Sequence, residues 1–335
     1  MTMLRKRLWK DALMGVSLVL AGLLGIAGAA NAEFPERQIT VLNAFDPGSP
    51  SDLITRASGI GAEKALGKPL VFENKGGGGG SVALSILATA RPDGYTLSGA
   101  PNVAVVDTAL MQKVTYKPLA SFTAIAGLAR AEHTALLVKS DAPWKTAVEF
   151  FDYAKKNPGK IKYSSSGVGT GMHVVMEYIA SKDGIKWVFV PYKGGPAARM
   201  ALMGGHVDAC SSAIDWAPQV LSGDLRVLAT HGYTRSPYFP TVPTMKELGY
   251  DVTNDTVHGI FAPAGLPPDV TKKLEAAFAK GRETEEFKTT REKLYLSPIS
   301  YDSKQFDQHL KEYWAKEEKM LKAVGVIKEP ATQPN

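Results

Sequence analysis

Short apolar runs alternate with helix-like stretches along most of the chain, and this alternation limits the possible folds more than any other feature. Seven runs have the length and composition of buried strands: ITVLNA, PLVFEN, YTLSGA, IKYSSS, VFVPYK, VDACSS and LRVLATHG. Stretches such as LITRASGIGAEKAL and GMHVVMEYIASK have helical periodicity. The pattern predicts an α/β fold with mostly parallel sheets. Ligands of open sheets bind beyond the carboxyl ends of the strands, so the loops after these runs are the places to search.

The first 32 residues have the composition of a secretory signal peptide. Four basic residues between positions 5 and 10 precede an apolar run, which ends at the small-x-small signal Ala30-Asn31-Ala32. A membrane anchor is the alternative, but the apolar core from Leu13 to Leu24 is short and glycine-rich, and no later run could span a bilayer. We therefore expect cleavage before Glu33. No lipobox cysteine follows the apolar run, so we expect a free, soluble protein.

The mature chain carries little net charge. Removal of residues 1–32 takes away four basic residues and Asp11, which leaves 35 basic and 32 acidic residues and a net charge of +3 instead of +6. The lysines and arginines are scattered and form no arginine-rich stripe interleaved with aromatic residues. This distribution argues against a nucleic-acid partner and is typical of a solvated, mildly basic surface.

The chain has to be stabilised by its core, because its one cysteine, Cys210, leaves no intrachain disulfide possible. Its length favours two domains over one. Two extended segments, FTAIAGLARAEHTALLVKS and DVTNDTVHGIFAPAG, lack helical periodicity and bracket the middle third of the sequence. We interpret them as strands that cross between two lobes. The polar tail KEPATQPN is expected to be disordered.

The stretch VLNAFDPGSPSD is a strand, a loop and the start of a helix. Ser49 is the expected N-cap, Pro50 the first helical residue, and Asp52 the residue that closes a capping box. The first N–H groups of a helix have no partner inside it and lie at the positive end of its dipole, so such a corner can hold an anion. By itself the stretch does not separate an anion site from a well-capped helix.

A second corner, IKYSSSGVGTGMHVVMEYIA, repeats this logic later in the chain. The strand is predicted to end near Ser164. The two glycines that follow, Gly167 and Gly169, give the backbone conformational freedom, and Thr170 can cap the helix that carries His173. Successive N–H groups in such a turn can form an anion-binding nest, although a tight turn with an N-cap is an equal alternative. Two corners that face each other across a cleft would grip an anion from both sides.

Neither corner contains a lysine or arginine. A site for phosphate monoesters commonly adds a fixed cation, whereas several N–H and O–H donors satisfy a carboxylate. The two corners therefore favour a carboxylate. The preference is weak, because some phosphate sites also use backbone donors alone.

The glycine run in NKGGGGGSVALSILATA is not a phosphate-binding P-loop. That motif needs a lysine after the glycines, and here Lys75 precedes them. We interpret the run as a flexible turn, held by Asn74, that lets a helix start close to the first corner.

Catalytic and metal signatures are weak. SSSGVG does not match the G-x-S-x-G nucleophile motif, and the scattered histidines form no cluster, so neither a metal nor another cofactor is predicted. Asp46 and Asp52 could meet, but paired-carboxylate catalysis needs one of them perturbed by burial, which a sequence does not show. A hydrolase that uses Ser165 or Ser166 with His173 remains an alternative.

Two later strand ends supply further candidates. Tyr192 is a candidate ligand-facing aromatic residue, and the neighbouring Lys193 is more often solvated than bound to ligand. Asp215 and Trp216 lie at another strand-to-helix corner. Trp216 could pack against the carbon chain of a ligand, with core packing as the default interpretation.

Nine motifs occur in order along the chain: VLNAFDPGSPSD, VFENKGGGGGS, RPDGYTLSGAPN, PGKIKYSSSGVGTGMH, VPYKGGPAA, GGHVDA, LRVLA, RSPYFPTVPTMKELGY and GIFAPAGLP. In order and spacing this set resembles a known family, the periplasmic solute receptors of tripartite tricarboxylate transporters, called TctC or Bug. The resemblance covers nearly the whole mature chain. It implies a two-lobed periplasmic-binding-protein fold of the Venus-flytrap type, type II, which binds small carboxylates in the interlobe cleft and delivers them to a membrane permease.

The resemblance also implies ligand-binding residues in both corners. Those that match the family pattern are Phe45, Gly48, Ser51 and Asp52 in the first loop, and Ser165, Gly167, Gly169, Thr170 and His173 in the second. The remaining candidates are Asp46, Ser49, Asn102, Tyr192, Asp215 and Trp216.

The first loop departs from the family pattern at Asp46, Pro47 and the Ser49-Pro50 pair, and the second at Val168 and Gly171. Pro50 removes one N–H donor. Asp46 could repel an anion or accept a hydrogen bond from a hydroxyl or protonated group.

We therefore expect a monomeric periplasmic receptor, with lobe 1 formed by residues 33–131 and 255–335 and lobe 2 by residues 132–254. The favoured ligand is a C4 to C8 dicarboxylate, aliphatic or aromatic, with citrate-like tricarboxylates as the second choice. The expected partners are the inner-membrane permease subunits of the transporter. A receptor that signals to a sensor kinase is a further alternative.

Overall fold

The structure of the protein is a computed structural model that describes residues 34–131, 134–167, 170–192, 195–213, 216–325 and 327. The predicted signal peptide and the tail KEPATQPN lie outside the described residues. From Arg37 onwards the described residues belong to one unit. No helix in the described ranges is long and apolar enough to cross a membrane.

Two sheets organise the described residues. The first has the strand order β11-β4-β10-β3-β1-β2 and the second β7-β6-β8-β5-β9. The strands are β1 (Ile39–Asn43), β2 (Leu70–Asn74), β3 (Thr96–Pro101), β4 (Phe122–Ala131), β5 (Ala135–Lys139), β6 (Lys162–Ser165), β7 (Val188–Pro191), β8 (Ala209–Ser212), β9 (Leu225–Thr230), β10 (Thr256–Pro263) and β11 (Ser297–Pro298).

Helices connect these strands. They are α1 (Pro50–Leu66), α2 (Ser81–Ala88), α3 (Asn102–Val105), α4 (Asp107–Met111), α5 (Ala147–Lys156), α6 (Gly171–Asp183), α7 (Gly195–Met203), α8 (Ala217–Leu221), α9 (Pro268–Glu283), α10 (Glu285–Lys293) and α11 (Ser303–Ala323), with a short 3-10 turn at Gly78–Gly80. All seven apolar runs of the sequence form strands, and both helix-like stretches form helices. The predicted α/β fold with two lobes is confirmed.

The expectation of mostly parallel sheets is wrong, because both sheets are mixed. β1 pairs in parallel with β2 and β3, and β6 with β7 and β8. β10 runs antiparallel to both β3 and β4, and β5 runs antiparallel to both β8 and β9. The antiparallel strands β4, β5 and β10 come from the two extended segments, which connect the sheets without an intervening helix and so do not follow the strand-helix alternation.

The chain passes between the sheets twice. It leaves the first sheet after β4 and enters the second at β5, and it returns between β9 and β10. An ion pair joins the two passages, with Arg130 Nε 3.3 Å from Asp255 Oδ2, and both side chains are largely buried. The predicted lobe boundaries at residues 131 and 255 fall at these passages; the assignment of residues to lobes stays a prediction.

A large apolar cluster extends along both sheets, and a smaller one lies beside the second sheet. The larger includes Leu84, Phe261 and Phe306 around the first sheet and continues to Phe150 and Tyr163 beside the second. The smaller cluster surrounds Trp216 and includes the buried free Cys210.

Helix α1, which follows the first corner, is fixed by a close approach to α9. A Cβ atom built on Gly61 would lie 2.8 Å from the Gly281 Cα, and one on Gly281 would lie 2.1 Å from the Ser58 carbonyl oxygen. Backbone lies against backbone at this crossing, so only glycine fits at position 281. The contact fixes the axis of the helix whose first turn forms the candidate site.

We expect Gly281→Ala to destabilise the protein. Alanine is favoured over glycine in a helix by about 1 kcal/mol, but the added methyl group has to push two backbones apart, and overpacking of this kind typically costs about 1–3 kcal/mol. Urea unfolding monitored by circular dichroism measures the change. The matched control is Lys272→Ala, an exposed position on the same helix, which should stay within about 0.5 kcal/mol of the parent protein. A Gly281→Ala protein as stable as its parent would contradict this packing.

Candidate functional site

The first corner places the start of α1 directly after β1. The Ser49 hydroxyl accepts a hydrogen bond from the Asp52 N–H at 3.3 Å, and Pro50 is the first helical residue, so the predicted cap and start are confirmed. The predicted capping box is wrong. The Asp52 carboxylate accepts from the N–H of Gly48 at 2.9 Å, one residue before the cap, because Gly48 adopts a φ of +80° that turns the loop back toward the helix.

Asp52 is the centre of a buried hydrogen-bond network. Its side chain is 3% exposed, and its Oδ1 accepts from Asn43 Nδ2 at 2.5 Å, Asn74 Nδ2 at 2.9 Å and Arg56 Nε at 2.8 Å. Burial alone would raise the pKa of this carboxyl. The hydrogen bonds from Gly48, Asn74 and Arg56, with the charge of Arg56, outweigh burial and lower the pKa below its usual value. Asp52 therefore holds the loop as an ionised anchor.

Asn74 connects the corner to the next strand. Its Nδ2 also donates to the Phe45 carbonyl at 2.8 Å, and its Oδ1 accepts from Arg56 at 2.8 Å. The glycine run that follows passes close to the loop, since a Cβ on Gly76 would meet the Asp46 side chain at 2.5 Å. The expected role of the run, a turn that lets α2 start beside the first corner, is the one the structure gives it.

These internal bonds leave few donors for a ligand. Pro50 has no N–H, the Asp52 N–H is bonded to Ser49 Oγ, and the Leu53 N–H donates to the Ser49 carbonyl at 2.9 Å. Within the described residues the Ser51 N–H has no hydrogen-bond partner. The Ser51 hydroxyl, on a residue only 4% exposed, has none either. Ser51 thus presents both donors of the first helical turn that remain unused.

A cavity of about 230 Å³ opens at this helix start. The first corner contributes one wall, β10 and the ends of β3 and β4 contribute another, and the two residues Thr134 and Ala213 belong to the second sheet's side. The described lining residues carry hydroxyl, imidazole or apolar side chains and include no lysine, arginine, aspartate or glutamate: Phe45, Ser49, Pro50, Ser51, Pro101, Ala131, Thr134, Ala213, Thr256, His258 and Leu296. The described lining of the cavity is thus neutral and largely apolar.

The second corner forms as a capped helix start. The Thr170 hydroxyl accepts from the His173 N–H at 3.4 Å and lies 3.0 Å from the Gly167 carbonyl, to which it can donate. The Ser165 hydroxyl donates to the same carbonyl at 3.2 Å. The described residues of this corner do not line the cavity. Gly169 lies outside the described residues.

His173 packs within the second corner. Its ring centroid lies 4.2 Å from that of Phe189. Burial lowers the pKa of His173, and the nearby Glu177 carboxylate opposes this only in part. The side chain is therefore neutral near pH 7, and its expected role of orienting the loop stays a prediction.

The other predicted site residues are divided. Phe45, Ser49 and Ser51 meet in the cavity, whereas Asp46, Gly48 and Asp52 form the loop beside it. Asn102 is buried and positions β10, since it donates to the Asp255 carbonyl at 3.0 Å and accepts from the Val257 N–H at 2.9 Å.

Tyr192 and Trp216 do not line the cavity. The Tyr192 N–H donates to the Ser165 carbonyl at 3.1 Å, which ties its loop to the second corner. Trp216 is buried with its ring centroid 4.8 Å from that of Phe239, which matches the default core interpretation. Asp215 and Lys193 lie outside the described residues.

Sequence reasoning missed His258 and Thr256. Both lie in the segment DVTNDTVHGIFAPAG, which was interpreted only as a crossing strand. They are two residues apart and so share one face of β10. This alternation is the one local signal that could have drawn attention to them, but which face borders a cavity depends on the strands on either side.

Comparison with known proteins places this geometry in context. The family model described as "Tripartite tricarboxylate transporter family receptor" matches residues 54–326. A Cupriavidus necator relative, the UPF0065 protein in the gbd 5′ region, is 35% identical over 308 residues, which cover 92% of this chain and 94% of the relative. Protein BugT of Bordetella pertussis is 30% identical over 267 residues, covering 77% of this chain and 80% of the relative.

Two solved structures are also similar. A TctC solute-binding protein from Polaromonas superposes with a TM-score of 0.76 at 24% identity, covering 88% of this chain and 99% of that chain. MatC from Rhodopseudomonas palustris with bound malate superposes with a TM-score of 0.67 at 28% identity, covering 87% of this chain and 100% of that chain.

We expect Asp52→Asn to loosen the first corner. The substitution keeps the size of the side chain but removes the charged acceptor of four hydrogen bonds, and bonds to charged groups contribute about 1.5–3 kcal/mol to stability. Because the folded-state pKa of Asp52 is lowered, its stabilisation is complete above the usual aspartate pKa of 3.8 and is lost as the pH falls through the lowered value. Urea unfolding should therefore show the full difference from the parent protein at pH 7 and a shrinking one below about pH 4.

Asp46→Asn is the matched control, because it removes an exposed carboxylate from the same loop. We expect its stability to stay within about 0.5 kcal/mol of the parent protein. Equal effects of the two substitutions would contradict the anchoring role of Asp52.

Proposed function

The chain belongs to the receptor family of the tripartite tricarboxylate transporters, and we propose that it captures a small carboxylate at the start of α1. Proteins of this family are periplasmic solute-binding proteins. The family inferred from the nine sequence motifs is therefore confirmed, and the identity of the ligand is the open step.

One observation carries the proposal: Ser51 lies at the start of a long helix and lines a neutral cavity, and neither its N–H nor its buried hydroxyl has a hydrogen-bond partner among the described residues. The helix dipole favours an anion at this position. A carboxylate can accept hydrogen bonds from two such donors without a neighbouring cation. A phosphate monoester carries more charge, and a site for it commonly adds a cation. The Ser51 hydroxyl supplies a donor in the turn where Pro50 has none.

The described residues of the second corner do not line the cavity, and we propose that closure of the lobes brings this corner against the same carboxylate. Helix α6 starts with the Thr170 cap, and within the described residues the N–H groups of Gly171 and Met172 have no hydrogen-bond partner. A dipole of the same sign would then face the ligand from each lobe. The proposed lobes, residues 33–131 with 255–335 and residues 132–254, would close on the ligand by bending at the two passages between the sheets.

The favoured ligand is a C4 to C8 dicarboxylate. The apolar side chains of Phe45, Pro101 and Leu296 suit a carbon chain or a ring. The structurally similar MatC contains bound malate, which is a C4 dicarboxylate. Residues 1–32 would direct export of the protein. The receptor, a monomer in this proposal, would then close on the ligand and deliver it to the permease subunits of a tripartite transporter.

Calorimetric titration of residues 33–335 with a panel of C4 to C8 dicarboxylates tests the proposal. We expect at least one to bind, and we expect Ser51→Ala to weaken it about ten- to a hundredfold, because a hydrogen bond to a charged group is lost. Ser181→Ala, at an exposed position of α6, is the matched control and should bind like the parent protein.

Binding of sugars or cationic amino acids, without binding of any carboxylate, would contradict the proposal. Unchanged carboxylate affinity in Ser51→Ala would also contradict it. The same samples test the hydrolase alternative. A receptor returns its ligand chemically unchanged, so a product visible by NMR after overnight incubation, and absent from a His173→Ala sample, would favour an enzyme.

A further inference from the structure

Strand β10 lines the same cavity as the first corner. Thr256 and His258 both border the cavity from one face of this strand. In the sheet, His258 lies opposite Pro101 of β3 and Ala129 of β4, and Thr256 lies opposite Ala131. Apolar residues therefore flank the histidine on both neighbouring strands.

His258 has no hydrogen-bond partner for its ring within the described residues. The residue is 6% exposed, and its Nδ1 is fully buried without a partner. Buried polar groups are nearly always hydrogen-bonded, and the exceptions in a native fold commonly mark functional positions. Nε2 also lacks a hydrogen-bond partner among the described residues, but unlike Nδ1 it is not fully buried. Because His258 lines the cavity, we take Nε2 as the nitrogen that faces it.

The protonation state of the ring follows from its surroundings. Burial lowers the pKa of His258 to about 4, so the ring is neutral near pH 7. A neutral imidazole carries one proton, and a buried N–H without an acceptor is costlier and rarer than a buried lone pair without a donor. The proton is therefore placed on Nε2, with Nδ1 bare, and the ring presents an N–H donor to the cavity.

We propose that His258 Nε2–H is the specificity-determining donor for a second acceptor group of the ligand. The proposal rests on the proposed function, in which the start of α1 holds the first carboxylate. It assigns His258 of β10 to recognition of the second polar group of the ligand. The ligand class is therefore carboxylates that carry a second carboxylate or carbonyl oxygen beyond an apolar chain or ring. Monocarboxylates with an apolar end would leave this donor unpaired.

Matched pairs of ligands test the proposal by calorimetric titration. Each pair shares its carbon number and differs only in the second carboxylate: succinate and butyrate, adipate and hexanoate, suberate and octanoate. In the parent protein we expect the best dicarboxylate to bind about ten- to a hundredfold more tightly than its monocarboxylate, the change expected for one hydrogen bond to a charged acceptor. His258→Phe should remove this preference by weakening the dicarboxylate only. His258→Gln, which keeps an N–H donor, should retain part of it.

A second measurement does not depend on variants that have to fold. Nitrogen-15 NMR of the histidine rings in the parent protein distinguishes the two neutral tautomers. We expect His258 to carry its proton on Nε2 and its Nε2 signal to move on addition of the dicarboxylate, with little change for the monocarboxylate. A proton on Nδ1, or an Nε2 signal that responds equally to both ligands, would overturn the proposal.

The outcomes separate this inference from the proposed function. Equal binding of both members of every pair, or an undiminished preference in His258→Phe, overturns the role of His258 and leaves carboxylate capture intact. Failure of all six ligands, and of every other C4 to C8 dicarboxylate in the panel, to bind overturns both.

Discussion

The buried carboxylate of Asp52 is the interaction on which the first corner depends. It accepts hydrogen bonds from two asparagines, an arginine and the backbone of Gly48, and these donors come from β1, β2, α1 and the loop itself. A charge can stay buried only when such donors surround it, so the same bonds that stabilise the anion fix the loop. The N–H groups of Asp52 and Leu53 in the same turn are bonded to Ser49, so Ser51 is the residue whose donors are unused there.

The rest of the site follows from where the two sheets place their edges. The first sheet contributes the corner and the β10 wall, and the chain around Thr134 and Ala213 closes the cavity from the side of the second sheet. The buried pair of Arg130 and Asp255 ties together the two passages on which a closing motion would turn. In the proposed function, the start of α1 and His258 would hold the two carboxylates of a ligand whose carbon chain contacts the apolar lining residues.

Local sequence patterns predicted the positions of the strands, caps and helix starts well. They predicted poorly the features that depend on distant parts of the chain, such as strand direction and burial. The strands, the Ser49 and Thr170 caps and the start at Pro50 were found because periodicity and capping act over a few residues. The strand directions were wrong, because β10 pairs with strands far away in the chain. The capping box predicted at Asp52 was wrong, because nothing in VLNAFDPGSPSD shows that its carboxylate is buried among donors from three other elements. His258 was missed for the same reason.

A crystal structure of the protein with a tightly bound dicarboxylate tests the central claim most directly. The account predicts one carboxylate within about 3 Å of the Ser51 hydroxyl and backbone nitrogen, with the carbon chain between Phe45 and Leu296. A ligand held elsewhere, with residues 49–52 making no contact to it, would contradict the account.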